Sequence, residues 1–112
     1  MKTVVWLSYD LSVKGDYDGL YSWLDNHKAK ECGDSIACIL WEDNGIDDIV
    51  EQIRSSLLDS FAYDKRKDRI YLIYKKKDLE RMAGKFIFGN RKANPWEGFG
   101  SREEEEEDYE IS

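Results

Sequence analysis

The alternation of apolar and polar positions along the chain predicts five strands and two helices. Apolar runs with a period of two favour strands, whereas apolar residues at i, i+3, i+4 and i+7 favour helices. A single helical turn is also predicted over 78–82. The predicted strands are residues 3–11, 28–32, 35–41, 69–75 and a short fifth strand over 84–89, and the predicted helices are residues 17–27 and 46–61.

The first helix has a recognisable start. Asp16 precedes its apolar stripe and is a residue type that accepts hydrogen bonds from the first backbone N–H groups of a helix, so we expect it to be the N-cap. Gly19 lies in the first turn, where a glycine lowers helix stability by up to ~1 kcal/mol relative to alanine. On helix propensity alone, Gly19 is therefore an unfavourable residue at this position.

The two cysteines lie in a predicted hairpin. If Gly33-Asp34 is a two-residue turn, Cys32 lies opposite Ser35, and Cys32 and Cys38 point to opposite faces of the sheet. This arrangement predicts that they neither bond to each other nor share a metal ion. We expect both to be small buried hydrophobic residues in a reducing compartment.

The order of the elements, βαββαβ followed by a short C-terminal strand extension, predicts an α+β fold. Two helices on one face of a four-stranded antiparallel sheet form the ferredoxin-like arrangement. Strands one, three and four are apolar on both faces, so the face away from the helices needs a second cover. We expect a symmetric partner, the segment 84–98 or both to supply that cover, and the chain to form a homodimer.

The length of 112 residues fits one domain with a modest core. We expect residues 1–98 to form that domain, with a C-terminal extension from about residue 78. Residues 99–112 are expected to be a flexible, disordered acidic tail, because the run 103–108 has no apolar area to bury. No apolar run approaches the roughly 20 residues of a membrane helix, and the N-terminus does not resemble a signal peptide. We therefore expect a cytoplasmic chain that does not contact membranes.

The formal net charge of −7 is unevenly distributed. Residues 64–92 carry 11 basic and 4 acidic side chains, whereas the segments on either side are strongly acidic. Basic residues interleaved with aromatic rings suit phosphate contact and base stacking, although lysines also protect a strand edge from aggregation. The candidate binding residues are Lys65, Arg66, Lys67, Arg69, Tyr71, Tyr74, Lys75, Lys76 and Lys77.

A resemblance extends over residues 6–21. The strand ends in Tyr9-Asp10-Leu11, the turn Lys14-Gly15-Asp16-Tyr17 follows, and Leu20-Tyr21 lies early in helix one. This pattern resembles a group of small, mostly uncharacterised bacterial proteins similar in fold to the small subunit of the CRISPR adaptation complex and to virulence-associated toxin D. The resemblance implies a dimeric ferredoxin-like protein. It also implies that Asp10, at the end of strand one, is the candidate catalytic residue and metal ligand of a nuclease.

Two functions follow from the sequence. The first is a non-enzymatic, dimeric interaction or regulatory module without a cofactor, whose acidic tail modulates the basic patch or docks a basic protein partner. Nucleic acid is a further possible partner of the basic residues. The alternative is a metal-dependent endonuclease acting on RNA or DNA, in which two Asp10 side chains meet across a dimer axis and hold Mg²⁺ or Mn²⁺. The other reading of Asp10 is a loop carboxylate that caps backbone groups.

Overall fold

The computed structural model describes residues 1–76, 81–100 and 110–112, in which the chain forms two helices and six strands. The predicted helical turn falls mainly on residues 77–80, outside the described residues, and the acidic segment 101–109 also lies outside them. The elements are β1 (Lys2–Asp10), α1 (Tyr17–Asn26), β2 (Lys30–Gly33), β3 (Ile36–Glu42), α2 (Ile49–Leu58), β4 (Arg69–Lys75), β5 (Met82–Phe88) and β6 (Glu110–Ile111).

The strands form one sheet in the order β2-β3-β1-β4-β5-β6. All pairs among β1 to β5 are antiparallel, and β6 runs parallel to β5. The prediction of a four-stranded ferredoxin-like βαββαβ sheet is therefore wrong, because the antiparallel sheet has five strands. The class remains mixed α+β. The predicted short extension is a strand of seven residues, as long as β4 itself.

A close contact between two strands explains why β5 is longer than its sequence indicates. Gly84 pairs with Ile73, and the ring and hydroxyl of Tyr71 occupy the space that a Cβ atom at Gly84 would fill. Ala83, Ile87 and Phe88 of β5 are buried in the core. The glycine thus continues the strand beneath an aromatic ring instead of ending it.

The core lies between one face of the sheet and the two helices. Trp23 of α1 donates from Nε1 to Ser56 Oγ of α2 at 2.9 Å and stacks on Trp41 of β3, with ring centroids 6.1 Å apart. These contacts fix both helices on the same face. The buried strand residues that meet them are Val5, Leu7, Ala37, Ile39, Trp41, Ile70, Leu72 and Tyr74.

The start of α1 is confirmed. Asp16 is its N-cap, and its carboxylate accepts hydrogen bonds from the N–H groups of Gly19 at 2.9 Å and Ala62 at 2.8 Å. The bonds from Ala62 and Gly19 lower the pKa of Asp16 below its ordinary value. A Cβ atom at Gly19 would collide with the Ser60 carbonyl oxygen and with the Asp16 carboxylate. Gly19 is thus required by the contact between α1 and the chain after α2.

Helix α2 begins at Ile49, three residues later than predicted. Asn44 Oδ1 accepts from the N–H groups of Ile46 and Asp47, and Asp43 Oδ1 accepts from the N–H of Gly45. These local bonds satisfy the backbone in a turn and compete with helix formation. Both helices have ten residues. Within the ranges described above, no helix is long and apolar enough to cross a membrane.

The β2–β3 turn differs from its prediction by one residue. Gly33 pairs with Ile36, so Asp34 and Ser35 form the turn. Cys32 lies in a β-bulge between Glu31 and Gly33, and its thiol is close enough to the Cys38 thiol to form a hydrogen bond with it. The predicted placement of the cysteines on opposite faces is therefore wrong.

Candidate interaction surface: the open face of the sheet

The sheet face that points away from α1 and α2 carries apolar side chains from four strands, and we call it the open face. These side chains alternate along each strand with the buried residues of the core. The open-face residues of β1 lie directly opposite open-face residues of β3 and β4 in the sheet. The open face consists of Val4, Trp6, Ser8, Ile36, Cys38, Leu40, Tyr71, Ile73, Gly84 and Phe86.

Trp6 lies at the centre of the open face. It belongs to β1, the middle strand of the five antiparallel strands, and it pairs with Cys38 on one side and Ile73 on the other. Val4 pairs with Leu40 in the adjacent row. The most apolar part of the face is therefore formed by β3, β1 and β4 around one tryptophan.

The open face is partly exposed to solvent in the single chain, most of all at Leu40, Val4 and Ser8. Leu40 is 57% exposed and Val4 is 40% exposed, whereas Ile39, the neighbour of Leu40 on the core face, is 1% exposed. Four strands about 4.8 Å apart and three side-chain rows about 6.8 Å apart give this face an area of roughly 400 Å². That is as large as the largest apolar patch of a typical monomer, a size that marks interaction sites.

Two arginines cover the end of the open face formed by β4 and β5. The Arg91 guanidinium carbon lies 5.6 Å from the ring centroid of Tyr71 and 5.4 Å from that of Phe86. Arg69 lies 5.9 Å from the Phe86 ring. The rings of Tyr71 and Phe86 also pack against each other, with centroids 4.7 Å apart. Trp6 is thus the aromatic residue of the open face that these arginine contacts leave uncovered.

Asp10 lies at the end of β1, where the structure pairs it with a basic residue. Its Oδ2 accepts from Arg69 Nη2 at 2.6 Å and from Arg69 Nε at 3.2 Å, and the two residues are opposite each other in the sheet. Within the described ranges, the Asp10 carboxylate bonds to this arginine side chain and to no backbone N–H group of the kind that a capping carboxylate would contact. Among the described residues, no group of three or more His, Cys, Asp or Glu side chains could hold a metal ion.

The basic binding candidates lie at opposite ends of β4. Lys65, Arg66 and Lys67 are exposed in the connector before the strand, whereas Lys75 and Lys76 are at its other end. A seven-residue strand separates the two groups by about 20 Å. Lys77 lies outside the described residues.

The two tyrosines of β4 lie on different faces. Tyr71 is on the open face beneath Arg91, whereas Tyr74 is 8% exposed on the core face and lines a cleft of about 500 Å³ near the start of α2. The structure therefore does not bring the basic and aromatic candidates together as one patch.

Asp68, which the sequence did not indicate as a candidate residue, is a buried carboxylate that is 1% exposed. It accepts from the Ser12 N–H at 3.1 Å and from the Asp64 N–H at 2.9 Å. These two bonds join the loop after β1 to the connector before β4, and so they position the Asp10–Arg69 pair. An aspartate directly before an apolar strand is the local signal for such a role, but the partner N–H groups are distant in sequence.

The two cysteines lie at the β2 side of the open face and are both free. Burial raises the pKa of the Cys38 thiol, and the adjacent Cys32 thiol raises it further. Cys32 is exposed, contrary to the expectation that both cysteines are buried.

The end of the chain returns to the sheet. Residues 110–111 form β6 beside β5, the Ser112 N–H donates to the Gly84 carbonyl at 3.0 Å, and Arg91 Nη2 donates to a Ser112 oxygen at 2.9 Å. The prediction of a flexible tail over 99–112 is therefore wrong for residues 110–112. The role predicted for the acidic residues 103–108 stays a prediction.

Comparisons of the chain with protein-family models, with curated proteins and with solved structures find no significant match in any of the three. The resemblance of residues 6–21 to the CRISPR adaptation subunit and to toxin D therefore stays a prediction. The same holds for the metal-dependent role of Asp10.

Proposed function

We propose that this protein is a non-enzymatic interaction module that works as a homodimer, in which the open faces of two copies pack against each other. The observation that carries the proposal is the exposure of Leu40 and Val4 beside Trp6 on a sheet face that neither helix covers. Removal of such apolar surface from water stabilises a complex by about 25 cal/mol per Å².

The position of Trp6 suits a symmetric interface. In a two-fold dimer, a residue on the axis contacts its own copy, and the surrounding patch must be complementary to itself. Trp6 is in the middle strand, with apolar neighbours on both sides. Two sheets that pack face to face lie about 10 Å apart, a distance that interdigitated side chains of this size fill.

The arrangement supports nucleic-acid binding less well. The basic candidates form two groups about 20 Å apart. The rings of Tyr71 and Phe86 lie beneath Arg91, and Tyr74 is buried, which removes three rings from stacking with bases. Single-strand binding usually combines a continuous basic groove with several accessible rings.

Sedimentation velocity at 1–100 µM tests the proposal. The molar mass obtained for the wild-type protein should be twice the 13.2 kDa mass of the chain. Leu40→Lys places a charge in the interface and should weaken dimerisation at least about tenfold, as a central interface residue does. Ile46→Lys is the matched control, because Ile46 is 88% exposed before α2, away from the sheet.

Each outcome of that experiment decides the proposal. A monomeric wild-type chain at 100 µM would contradict it, as would equal effects of Leu40→Lys and Ile46→Lys. Circular dichroism spectra of both variants should match the wild type, because both positions are exposed. A dimer lost only in Leu40→Lys supports the open face as the interface.

A cleavage assay separates this proposal from the endonuclease alternative. The wild-type chain and Asp10→Asn are incubated with single-stranded and double-stranded RNA and DNA in Mg²⁺ or Mn²⁺. We expect no cleavage that depends on Asp10, because its carboxylate is engaged by Arg69. Cleavage by the wild type that Asp10→Asn abolishes would replace the interaction module with the enzyme.

A further inference from the structure

A second exposed apolar element follows β5. Residues 92–100, which we call the aromatic arm, are exposed throughout. Trp96 is 68% exposed and Phe99 is 88% exposed. Two successive turns hold them, because the Glu97 N–H donates to the Asn94 carbonyl at 3.1 Å and the Phe99 N–H donates to the Trp96 carbonyl at 3.0 Å. The arm therefore presents two large aromatic side chains that do not pack on their own chain.

The area of the open face indicates why such an element is needed. The flat face supplies roughly 400 Å² per copy, whereas a stable interface of standard size buries about 800 Å² per partner. A buried aromatic side chain contributes about 150–250 Å². Two buried aromatic residues therefore supply about the missing area.

The path of the chain places the arm near the interface. Gly89, with φ of +80°, ends β5, and Arg91 then lies over Tyr71 and Phe86 on the open face. The arm thus leaves the sheet on the open-face side. From Arg91 to Asn94, before the two turns begin, an extended chain spans about 10 Å, which matches the roughly 10 Å between packed sheets.

We infer that the aromatic arm of each copy crosses to the other copy, where Trp96 and Phe99 pack against the β3–β1 side of its open face. This inference rests on the proposed homodimer and names the segment that completes its interface. The occupant is a second copy, because the arm of a single chain leaves both Leu40 and its own aromatic residues exposed. Exchange of arms removes both the β3–β1 side of the open face and the aromatic side chains of the arm from water.

The first test is the affinity of the full-length dimer. The double substitution Trp96→Ala and Phe99→Ala should raise the dimer dissociation constant at least tenfold. Tyr21→Ala is the matched control, because Tyr21 is a 51% exposed aromatic residue on α1, away from the open face. It should leave the dissociation constant within twofold of the wild type.

The second test is crosslinking between copies, in a background with Cys32→Ser and Cys38→Ser. Chains that carry Trp96→Cys are mixed with chains that carry Leu40→Cys and are oxidised. A disulfide between the two kinds of chain is expected, whereas Tyr21→Cys mixed with Leu40→Cys should give none. A chain carrying both Trp96→Cys and Leu40→Cys that forms only an internal disulfide would overturn the inference.

The outcomes separate this inference from the proposal on which it rests. A wild-type dimer whose dissociation constant is unchanged by the loss of Trp96 and Phe99 overturns the arm exchange and leaves the open-face dimer in place. A monomeric wild-type chain overturns both. Loss of affinity only in the arm variant, together with crosslinks between copies, supports both.

Discussion

Gly19 lies at a position where a tertiary contact opposes helix propensity. Propensity alone favours alanine over glycine in α1. A Cβ atom at this position would meet the backbone oxygen of Ser60 and the Asp16 carboxylate, and the backbone oxygen is held by the chain after α2. We expect Gly19→Ala to lower the free energy of unfolding by about 1–3 kcal/mol, as overpacking does. Urea unfolding of both proteins measures this change in the free energy of unfolding.

Ser22→Ala is the matched control for Gly19, because Ser22 is exposed on the same helix. Its effect should remain within about 0.5 kcal/mol of the wild type. A Gly19→Ala chain that is more stable than the wild type would show that the backbone at Ser60 moves away from the added Cβ atom at little cost in free energy.

Asp16 should make the stability of the chain depend on pH in the acid range. The bonds from Ala62 and Gly19 lower its pKa in the folded state. A lowered folded-state pKa means that the ionised group stabilises the fold above the unfolded value of about 3.9, and that this stabilisation is lost as the pH falls through the folded pKa. Asp16→Asn should therefore be less stable than the wild type at pH 7, and the difference should shrink below pH 4.

Thermal unfolding of both proteins between pH 2 and pH 7 measures this dependence. Asp18→Asn, an exposed position in the first turn of α1, is the control for a general loss of negative charge. Melting temperatures of the wild type and Asp16→Asn that fall in parallel with decreasing pH would contradict the stabilising role of the ionised Asp16 carboxylate.

At the scale of elements, β5 depends on one contact across the sheet. A Cβ atom at Gly84 would collide with the ring of Tyr71 on β4. We expect Gly84→Ala to destabilise the chain by about 1–3 kcal/mol, and to do so far less in a Tyr71→Ala background. A double-mutant cycle by urea unfolding measures the coupling. Additive effects of the two substitutions would show that the ring does not constrain Gly84.

The same contact explains the limits of prediction from the sequence. Local periodicity predicted β1, β3, β4 and both helices, because their apolar positions repeat at short range. It did not predict the full length of β5, since the residue that accommodates Gly84 is 13 positions earlier in the chain. The later start of α2 depends on hydrogen bonds that the Asn44 side chain accepts, and the position of Cys32 depends on a β-bulge between Glu31 and Gly33.

The candidate site was predictable in part. Strands one, three and four are apolar on both faces, and this pattern indicated a second apolar surface, which the structure forms around Trp6. The separation of the basic residues follows from the predicted strand 69–75, because residues 65–67 precede that strand and residues 76–77 follow it. The position of Arg91 over Tyr71 depends on the turn after β5.

At the scale of the whole molecule, dimerisation should couple stability to concentration. A partner that binds only the folded chain raises its apparent stability, so the melting temperature of a dimer rises with protein concentration. We expect this rise for the wild type between 1 and 100 µM, and a smaller one for Leu40→Lys. Calorimetry measures both. A wild-type melting temperature independent of concentration would contradict folding coupled to association.

The central position of β1 has a consequence for synthesis. Arg69 follows its partner Asp10 by 59 residues, and a ribosome adding roughly 5–20 residues per second needs about 3–12 s to make that stretch. The apolar first strand therefore emerges long before β4 can pair with it. Until then its apolar side chains are exposed, and chaperones bind exposed apolar segments. Limited proteolysis of stalled nascent chains should show β1 protected only once residue 75 has left the exit tunnel. Protection of shorter nascent chains would mean that β3 alone shields it.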